Sequence, residues 1–288
     1  MTQQFILETE VQYGDGGGIP LLLDILRPAK AGLNPRPAIV YVHGGGWWEG
    51  DRSYGYTPNL MLAKLGFFTV TISYRFSQIA PYPAQIHDVK AAIRFLRANA
   101  EAFGIDPERI GVWGHSAGGH LSALAGLHAD IPELEGESGS PGYSSKVQAV
   151  VPMSPPTDFT VEWRNLEGIS LQDVGMDAVT QLLGGPIADK PELARLASPA
   201  ALVAPGDAPS LSRQGTRDDI VPFRHAEILV EAMQQAGNEV TLITMTGVDH
   251  GAQAPMLPGN DDPFGTERAV VEFFTHHLGP IPGDSAGS

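Results

Sequence analysis

Short apolar segments alternate along the chain with stretches whose apolar residues recur every three to four positions. The apolar segments are rich in β-branched residues, which favours strands. They cover residues 38–42, 68–72, 110–113, 147–151 and 240–244. Strands separated by helical stretches are typical of a mostly parallel sheet with helices on both faces, so the pattern predicts an α/β fold.

The longest helical pattern covers residues 84–103. Its apolar residues lie three or four positions apart, which is the spacing of one buried helix face; they are Ile86, Val89, Ile93, Leu96, Ala100 and Phe103. Pro83 precedes the pattern and Gly104 follows it, and both residue types are common at helix ends. We therefore expect a helix that leads through a turn into the strand at 110–113.

The other segments predict one domain with two additions. A glycine-rich stretch at 14–18 separates two strand-like segments and predicts an N-terminal hairpin. Residues of about 155–201 lack strand patterns and contain helical patches, so they form either a small helical cap at the carboxyl edge of the sheet or a long loop with helices. We assign residues 1–278 to a single domain and the small, polar residues 279–288 to a flexible tail.

Composition narrows the function classes. The chain has 288 residues, with 18 Lys and Arg against 33 Asp and Glu, and the net charge of -15 excludes a basic nucleic-acid binder. It has no cysteine, which excludes disulfides, thiolate zinc sites and a cysteine nucleophile. The first residues do not form a signal peptide, and no uncharged apolar run approaches the roughly 20 residues that span a bilayer. We therefore expect a soluble, cytoplasmic protein that binds neither nucleic acid nor membrane.

A serine lies at the turn that follows the strand at 110–113. Ser116 stands between Gly114 and Gly118 in a G-x-S-x-G motif, and helical spacing begins directly after it. A nucleophile elbow needs this arrangement, because the serine occupies a strained strand-to-helix turn and the glycines avoid clashes. The motif alone also fits a tight strand–helix connection or an anion site at a helix N-terminus.

A second glycine-rich loop, His-Gly-Gly-Gly-Trp at 43–47, follows the strand at 38–42. Consecutive glycines let peptide N–H groups approach a developing oxyanion. A phosphate-binding loop is an alternative, but the spacing matches neither G-x-G-x-x-G nor the Walker motif; a flexible loop is another. Trp47 and Trp48 favour a substrate-binding pocket wall, although burial against the sheet explains them equally well.

A serine nucleophile needs a histidine base. Among the downstream histidines, His250 follows a predicted strand and lies in a glycine-flanked loop, from which an imidazole can reach over the sheet edge. His225 lies on a helical stretch and is expected to face solvent, while His276 and His277 follow a helix near the chain end. His250 is therefore the candidate base.

The base in turn needs an orienting carboxylate, and Asp218 in the loop 215–222 is the candidate. Asp219 is the alternative, and we expect it instead to cap a helix that begins at the end of this loop. Asp207 and Asp249 are weaker candidates, because Asp207 follows a Pro-Gly turn and Asp249 is adjacent to the histidine.

Together these motifs resemble the α/β-hydrolase superfamily, and within it the esterases related to hormone-sensitive lipase and the bacterial feruloyl or acetyl esterase branch. The resemblance runs from about residue 36 to 276, and its most specific blocks are Tyr-Pro-Ala-Gln at 82–85 and Gly-Ile-Asp-Pro at 104–107. It implies an α/β-hydrolase fold with a mostly parallel central sheet, helices on both faces and a small helical cap insertion. It also implies roles for single residues: Ser116 as nucleophile, Asp218 as acid, His250 as base, the amides of Gly45, Gly46 and Ala117 as oxyanion hole, and Gly44 as a further candidate donor.

One segment departs from the pattern of such relatives. They usually carry an apolar strand that runs into His-Gly before the acid loop, whereas residues 209–215 read Pro-Ser-Leu-Ser-Arg-Gln-Gly. A buried parallel strand is nearly all apolar, and an unpaired arginine inside it would be costly. We therefore expect Arg213 to face solvent or to pair with a nearby carboxylate, and a distorted strand there would disturb Asp218.

These residues predict a serine carboxylesterase that hydrolyses small acyl or aryl esters through an acyl-enzyme and needs no metal or cofactor. An amidase resembling arylformamidases, or a peptidase, would use the same residues. A non-catalytic ligand-binding protein on the same fold is a further alternative. The expected partner is a small-molecule ester, and a homodimer is left open.

Overall fold

The computed structural model describes residues 4–30, 34–128, 131–161, 178–250 and 266–279. The strands in these ranges are β1 (Phe5–Asp15), β2 (Pro20–Pro28), β3 (Arg36–Val42), β4 (Phe68–Ile72), β5 (Ile105–His115), β6 (Ala149–Met153), β7 (Ser210–Gly215) and β8 (Val240–Met245). The α-helices are α1 (Tyr56–Lys64), α2 (Ala84–Ala98), α3 (Ala100–Phe103), α4 (Ala117–Ala125), α5 (Ala178–Leu183), α6 (Pro191–Leu196), α7 (Arg224–Gln235) and α8 (Thr266–Leu278).

The strands form one sheet in the order β1-β2-β4-β3-β5-β6-β7-β8. β2 pairs antiparallel with β1 and β4, and every other pair is parallel. β3, β4 and β6 are buried along their whole length, as strands covered on both faces should be. The predictions of an N-terminal hairpin and a mostly parallel central sheet are confirmed.

Helices cover the sheet on both faces and bury two apolar layers. On one face, α2 and α4 contribute side chains such as Ile93 and Leu121. On the other, α1 and α8 contribute Leu62 and Phe274. Truncation of a fully buried phenylalanine such as Phe274 to alanine costs about 3–5 kcal/mol, so these layers supply much of the stability that holds the sheet edge in place.

The predicted helix at 84–103 is interrupted near its end. α2 stops at Ala98, and Asn99 has φ -105° and ψ 18° before the short α3 begins. The Asn99 side-chain amide donates to the Phe95 carbonyl at 2.8 Å. Asparagine competes in this way for backbone groups that a continuous helix would use, and apolar periodicity does not report the competition.

The described part of the predicted cap insertion is helical and packs on the start of α2. The Tyr82 N–H donates to the Leu182 carbonyl at 2.8 Å, and the Tyr82 hydroxyl donates to the Leu196 carbonyl at 2.9 Å. These bonds seat α5 and α6 against the body of the domain. Residues 162–177 of the insertion and 280–288 of the predicted tail lie outside the described residues, and the cap stays a prediction.

Arg213 on β7 does not face solvent. Its relative exposure is 3%, and the neighbouring residues of β7 are buried as well. The solvent-facing alternative is therefore wrong, because β7 is an interior strand between β6 and β8. The side chain lines a small cavity together with Trp113 and Glu267 on the α8 side of the sheet. An ion pair with a carboxylate stays a prediction.

No helix in the described ranges combines the length and the apolar character needed to cross a membrane. The cytoplasmic location stays a prediction.

Candidate active site

Ser116 occupies the turn between the central strand β5 and helix α4. Its φ of 56° and ψ of -119° are rare for a residue with a side chain, and the Ser116 N–H is held by the Met153 carbonyl at 2.8 Å. A Cβ atom on Gly114 or Gly118 would overlap the Val42 carbonyl oxygen of β3. The two glycines therefore let the turn pack directly on the neighbouring strand, as the elbow motif predicts.

His250 and Asp218 lie on the loops that follow β8 and β7, and they meet Ser116 at the carboxyl edge of the sheet. His250 Nε2 is 3.0 Å from Ser116 Oγ, and His250 Nδ1 is 2.8 Å from Asp218 Oδ2. Both side chains are buried, with Asp218 only 1% exposed. Three residues that are far apart in the chain thus form one line of hydrogen bonds.

The Asp218 carboxylate is fixed from several directions. Its Oδ1 accepts the N–H groups of Ile220 at 3.0 Å and Val221 at 2.7 Å. Its Oδ2 accepts the side-chain amide of Gln214 at 2.7 Å in addition to His250. Hydrogen bonds of this kind favour the charged form of a carboxylate. An ionised Asp218 selects the His250 tautomer that carries its proton on Nδ1 and leaves Nε2 free to accept the serine proton.

The glycine loop after β3 faces the elbow. Gly45 has φ 117° and Gly46 has φ 56°, and a Cβ on Gly45 would overlap the Glu49 carbonyl. Within the described part of the chain, neither amide donates to a backbone acceptor. The Ala117 amide is the first of α4 and has no intrahelical acceptor. Three N–H groups of the glycine loop and the elbow thus have no backbone acceptor among the described residues.

The two tryptophans of this loop differ in burial. Trp47 is only 3% exposed and lies in the core with its ring against His120 and Phe159. The alternative of burial applies to Trp47, and a pocket-wall role does not fit it. Trp48 is half-buried and lies beside Gly46, where it stays a candidate for substrate contact.

The expectation that His225 faces solvent is wrong. His225 is 2% exposed, and its Nδ1 accepts the Thr157 N–H at 3.2 Å. Burial lowers the pKa of His225 to about 3, although Asp218 acts in the opposite direction. Helical periodicity in α7 did not reveal this contact, because Thr157 belongs to the distant loop after β6.

The alternative acids have other environments. Asp219 is exposed, and α7 begins at Arg224 with Phe223 as its N-cap and no side-chain cap, so the predicted capping role is wrong. Asp207 accepts the His128 N–H at 2.7 Å, which explains it as a loop residue. Asp249 is exposed. Asp218 is the one of these carboxylates that the structure places on His250.

Two neighbours of the triad were not anticipated from the sequence. The side-chain amide of Gln214 donates to the Asp218 carboxylate, whereas the sequence pattern marks Gln214 only as part of an atypical strand. His115 packs its ring on His250 with centroids 4.8 Å apart. Burial, followed by the nearby charges of His250 and Arg213, lowers the pKa of His115 to about 3. The ring that packs against the His250 imidazole is therefore neutral.

Metal ligands do not cluster in the ranges that the structure describes: no group of three or more His, Asp or Glu side chains there could hold an ion.

Comparison with known proteins identifies related sequences. The sequence model of the BD-FAE family matches residues 23–233, well over half of the chain. Esterase LipC of Mycobacterium tuberculosis is 34% identical over 251 residues, which is 86% of this chain and 60% of LipC. The chain thus spans less than two thirds of the length of the curated relatives that it matches, LipC among them.

Solved structures show the same fold over nearly the whole chain. A truncated carbohydrate esterase from gut microbiota superposes with a TM-score of 0.80 at 30% identity, covering 95% of this chain and 96% of that one. Esterase 2 of Thermogutta terrifontis has a TM-score of 0.77 at 26% identity, covering 97% of this chain and 95% of that one. The predicted α/β-hydrolase fold is confirmed, and the relatives are named esterases, as the resemblance implies.

Proposed function

The chain belongs to the BD-FAE family of α/β-hydrolase esterases, and from this premise we propose that it is a serine carboxylesterase with Ser116 as nucleophile, His250 as base and Asp218 as acid. The observation that carries the proposal is the hydrogen-bonded line from Ser116 Oγ through His250 to Asp218, with distances of 3.0 and 2.8 Å. These distances are within the range of hydrogen bonds that transfer a proton during attack.

In the first half of the reaction, His250 Nε2 takes the proton of Ser116 Oγ as the oxygen attacks the ester carbonyl carbon. Asp218 stabilises the imidazolium that forms and holds the ring in place, without itself taking the proton. The carbonyl oxygen becomes an oxyanion, and the C–O bond to the alcohol breaks when His250 returns the proton to the leaving oxygen. The acyl group then remains on Ser116.

The amides of Gly45, Gly46 and Ala117 support the proposal because none of them donates to a backbone acceptor in the part of the chain that the structure describes. Preorganised donors of this type stabilise the tetrahedral intermediate more than the planar ester, and each is worth about 10²- to 10³-fold in rate. In the second half, His250 deprotonates a water that attacks the acyl carbon, and Ser116 leaves with the proton. The same donors serve both halves.

For the substrate we propose esters of short acyl groups, with a sugar or aryl alcohol half. Est2 of Thermogutta terrifontis is described with propionate and with butyrate bound, and the gut neighbour is described as a carbohydrate esterase. Trp48 supports the proposal of a short acyl group. It lies next to Gly46, and we expect a half-buried indole beside the oxyanion loop to limit the length of the acyl chain.

The test is hydrolysis of p-nitrophenyl esters with acyl chains of increasing length by the purified chain. We expect kcat/KM to be highest for the shortest acyl groups and to fall at octanoate. Ser116→Ala, verified as folded by circular dichroism, should retain no turnover above the buffer rate. Equal activity of this variant would refute the assignment of the nucleophile.

The alcohol half and the scissile bond need separate assays. Acetate release from acetylated xylose should exceed that from an unactivated alkyl acetate if the leaving half is a sugar. Turnover of p-nitroacetanilide at a rate similar to that of p-nitrophenyl acetate would favour the amidase alternative. Stoichiometric binding of esters without turnover by the intact chain would favour the ligand-binding protein.

A further inference from the structure

His120 lies between the nucleophile, the oxyanion loop and helix α6, and no step of the proposed mechanism uses it. It follows Ser116 by one helical turn, and its backbone N–H donates to the Ser116 carbonyl at 2.9 Å. Its ring is fully buried. A fully buried histidine is uncommon unless both ring nitrogens have partners, so the partners indicate what the ring does.

Each ring nitrogen of His120 has one partner. The Trp47 indole N–H donates to His120 Nδ1 at 3.1 Å. An indole can only donate, so Nδ1 carries no proton and Nε2 does. His120 Nε2 accordingly donates to the Ala197 carbonyl at 2.7 Å, which is the C-cap carbonyl of α6. The tautomer is thus fixed by its two neighbours.

Burial keeps this ring neutral. Burial lowers the pKa of His120 to about 4, against a smaller opposing effect of the Ala197 carbonyl. A proton on Nδ1 would face the Trp47 N–H and break the contact. At neutral pH the bond between the two rings is therefore intact.

We call the hydrogen bond from the Trp47 indole N–H to His120 Nδ1 the anchor. Trp47 must be held in place because its backbone is strained. Its φ of 63° lies in the left-handed region, which a residue with a large side chain adopts only when its surroundings hold it there. The Ser77 N–H holds its carbonyl at 2.8 Å, and His120 holds its side chain. Gly45 and Gly46 directly precede Trp47 in the chain, so a displacement of Trp47 would also move their peptide groups.

We propose that His120 is a positioning residue for the oxyanion hole: it fixes the strained Trp47 through the indole N–H and ties the oxyanion loop to the carboxyl end of α6. This inference rests on the proposed esterase function for its kinetic consequences, although the anchor itself does not. A histidine that only filled the core would also need both hydrogen bonds, so the effect on kcat distinguishes the two roles.

The kinetic test compares His120→Leu, His120→Gln and Trp47→Phe with His128→Leu as control. His128 is half-buried and its Nε2 also lies 2.8 Å from a carbonyl, that of Val147, but it is remote from the elbow. With p-nitrophenyl acetate we expect kcat of His120→Leu to fall about 10- to 100-fold while KM changes less than threefold, since misplaced oxyanion donors act on the transition state. His120→Gln, whose amide can accept from Trp47 and donate to Ala197, should recover most of the loss.

Two further results decide between positioning and general stability. The double variant Trp47→Phe/His120→Leu should be no slower than the slower single variant, because both remove the same contact. The His128→Leu variant should lose thermal stability without a change in kcat. Additive losses in the double variant, or equal kcat for His120→Leu and His128→Leu in folded protein, would overturn the proposal.

A spectroscopic readout separates the anchor from the enzyme activity. The chain has four tryptophans, so its indole N–H groups give few NMR signals, and the signal lost in Trp47→Phe identifies Trp47. We expect this signal to shift strongly in His120→Leu and to return in His120→Gln. If it does not shift, the anchor is refuted; if it shifts while the wild-type chain hydrolyses no ester, the anchor stands and the esterase function fails.

Discussion

Acid should destabilise this fold well before its carboxylates titrate, because three histidines are held neutral by their surroundings. Burial lowers the pKa of His120 to about 4 and the pKa values of His115 and His225 to about 3, from 6.5 in the unfolded chain. The unfolded state therefore binds more protons than the folded state between pH 6.5 and about 4. Stability is complete above pH 6.5 and is lost as the pH falls through this window.

The size of the loss follows from the three pKa values. At pH 5 each histidine favours the unfolded state by about 2 kcal/mol relative to pH 8, so the three together cost about 6 kcal/mol. The whole free energy of unfolding of a domain is about 5–15 kcal/mol, which makes this a large fraction. His43, whose pKa is also lowered by burial, acts in the same direction. The pKa of the Glu135 carboxylate is also lowered in the folded state. Its charged form therefore stabilises the fold, and this contribution is lost only below about pH 4.5.

The assay is urea unfolding followed by tryptophan fluorescence at pH 8 and pH 5. His225→Asn keeps an acceptor for the Thr157 N–H but removes one titrating group. Its free energy of unfolding should therefore fall by about 2 kcal/mol less than that of the wild type between pH 8 and pH 5. Gln235→Asn, at an exposed position of the same helix α7, removes no titrating group and should lose as much as the wild type. A wild-type loss below about 1 kcal/mol, or an unchanged loss in His225→Asn, would refute the reasoning.

Three further predictions concern the active site. Gln214→Met removes a side-chain amide from two buried acceptors, one of them the Asp218 carboxylate, so the free energy of unfolding should drop by about 2–4 kcal/mol in urea titrations and kcat should fall with it; unchanged stability would contradict this. Asp218→Asn should reduce kcat for p-nitrophenyl acetate by about 10⁴-fold, whereas the exposed Asp219→Asn should stay within about twofold, and the reverse order would exchange their roles. Gly118→Ala should lower Tm in calorimetry, although Ala in place of Gly ordinarily stabilises a helix by about 1 kcal/mol, because its Cβ would overlap the Val42 carbonyl; a Tm equal to that of the wild type would show that the elbow relaxes.

The sheet and the elbow could be predicted from the sequence because each has a local sequence pattern. Apolar runs located the parallel strands, and the glycines around Ser116 report a backbone approach that no other residue permits. His250 is predicted from its place after a strand and Asp218 from its glycine-led loop before that strand. The structure puts them together because parallel strands end at the same edge.

The burial of polar side chains could not be predicted from the sequence, because it depends on residues that are far away in the chain. His225 on α7 is covered by Thr157 from the loop after β6, and Trp47 is held by His120 from α4. Arg213 was expected either to face solvent or to pair with a carboxylate, and composition alone cannot decide this because it does not show that β8 and α8 cover β7. In each case a single long-range contact overrides the local preference of the residue type.

The three members of the triad follow strands that differ in local stability. β5, which leads to Ser116, is central, whereas β8, which leads to His250, is half-exposed and pairs only with β7 within the described chain. Ser116 and His250 are 134 positions apart, so nothing local keeps them together. Edge elements open at lower free energy than central ones. Turnover should therefore disappear on heating before the tertiary signal of the core does, and the gap between the two curves would measure how weakly the sheet margin is held.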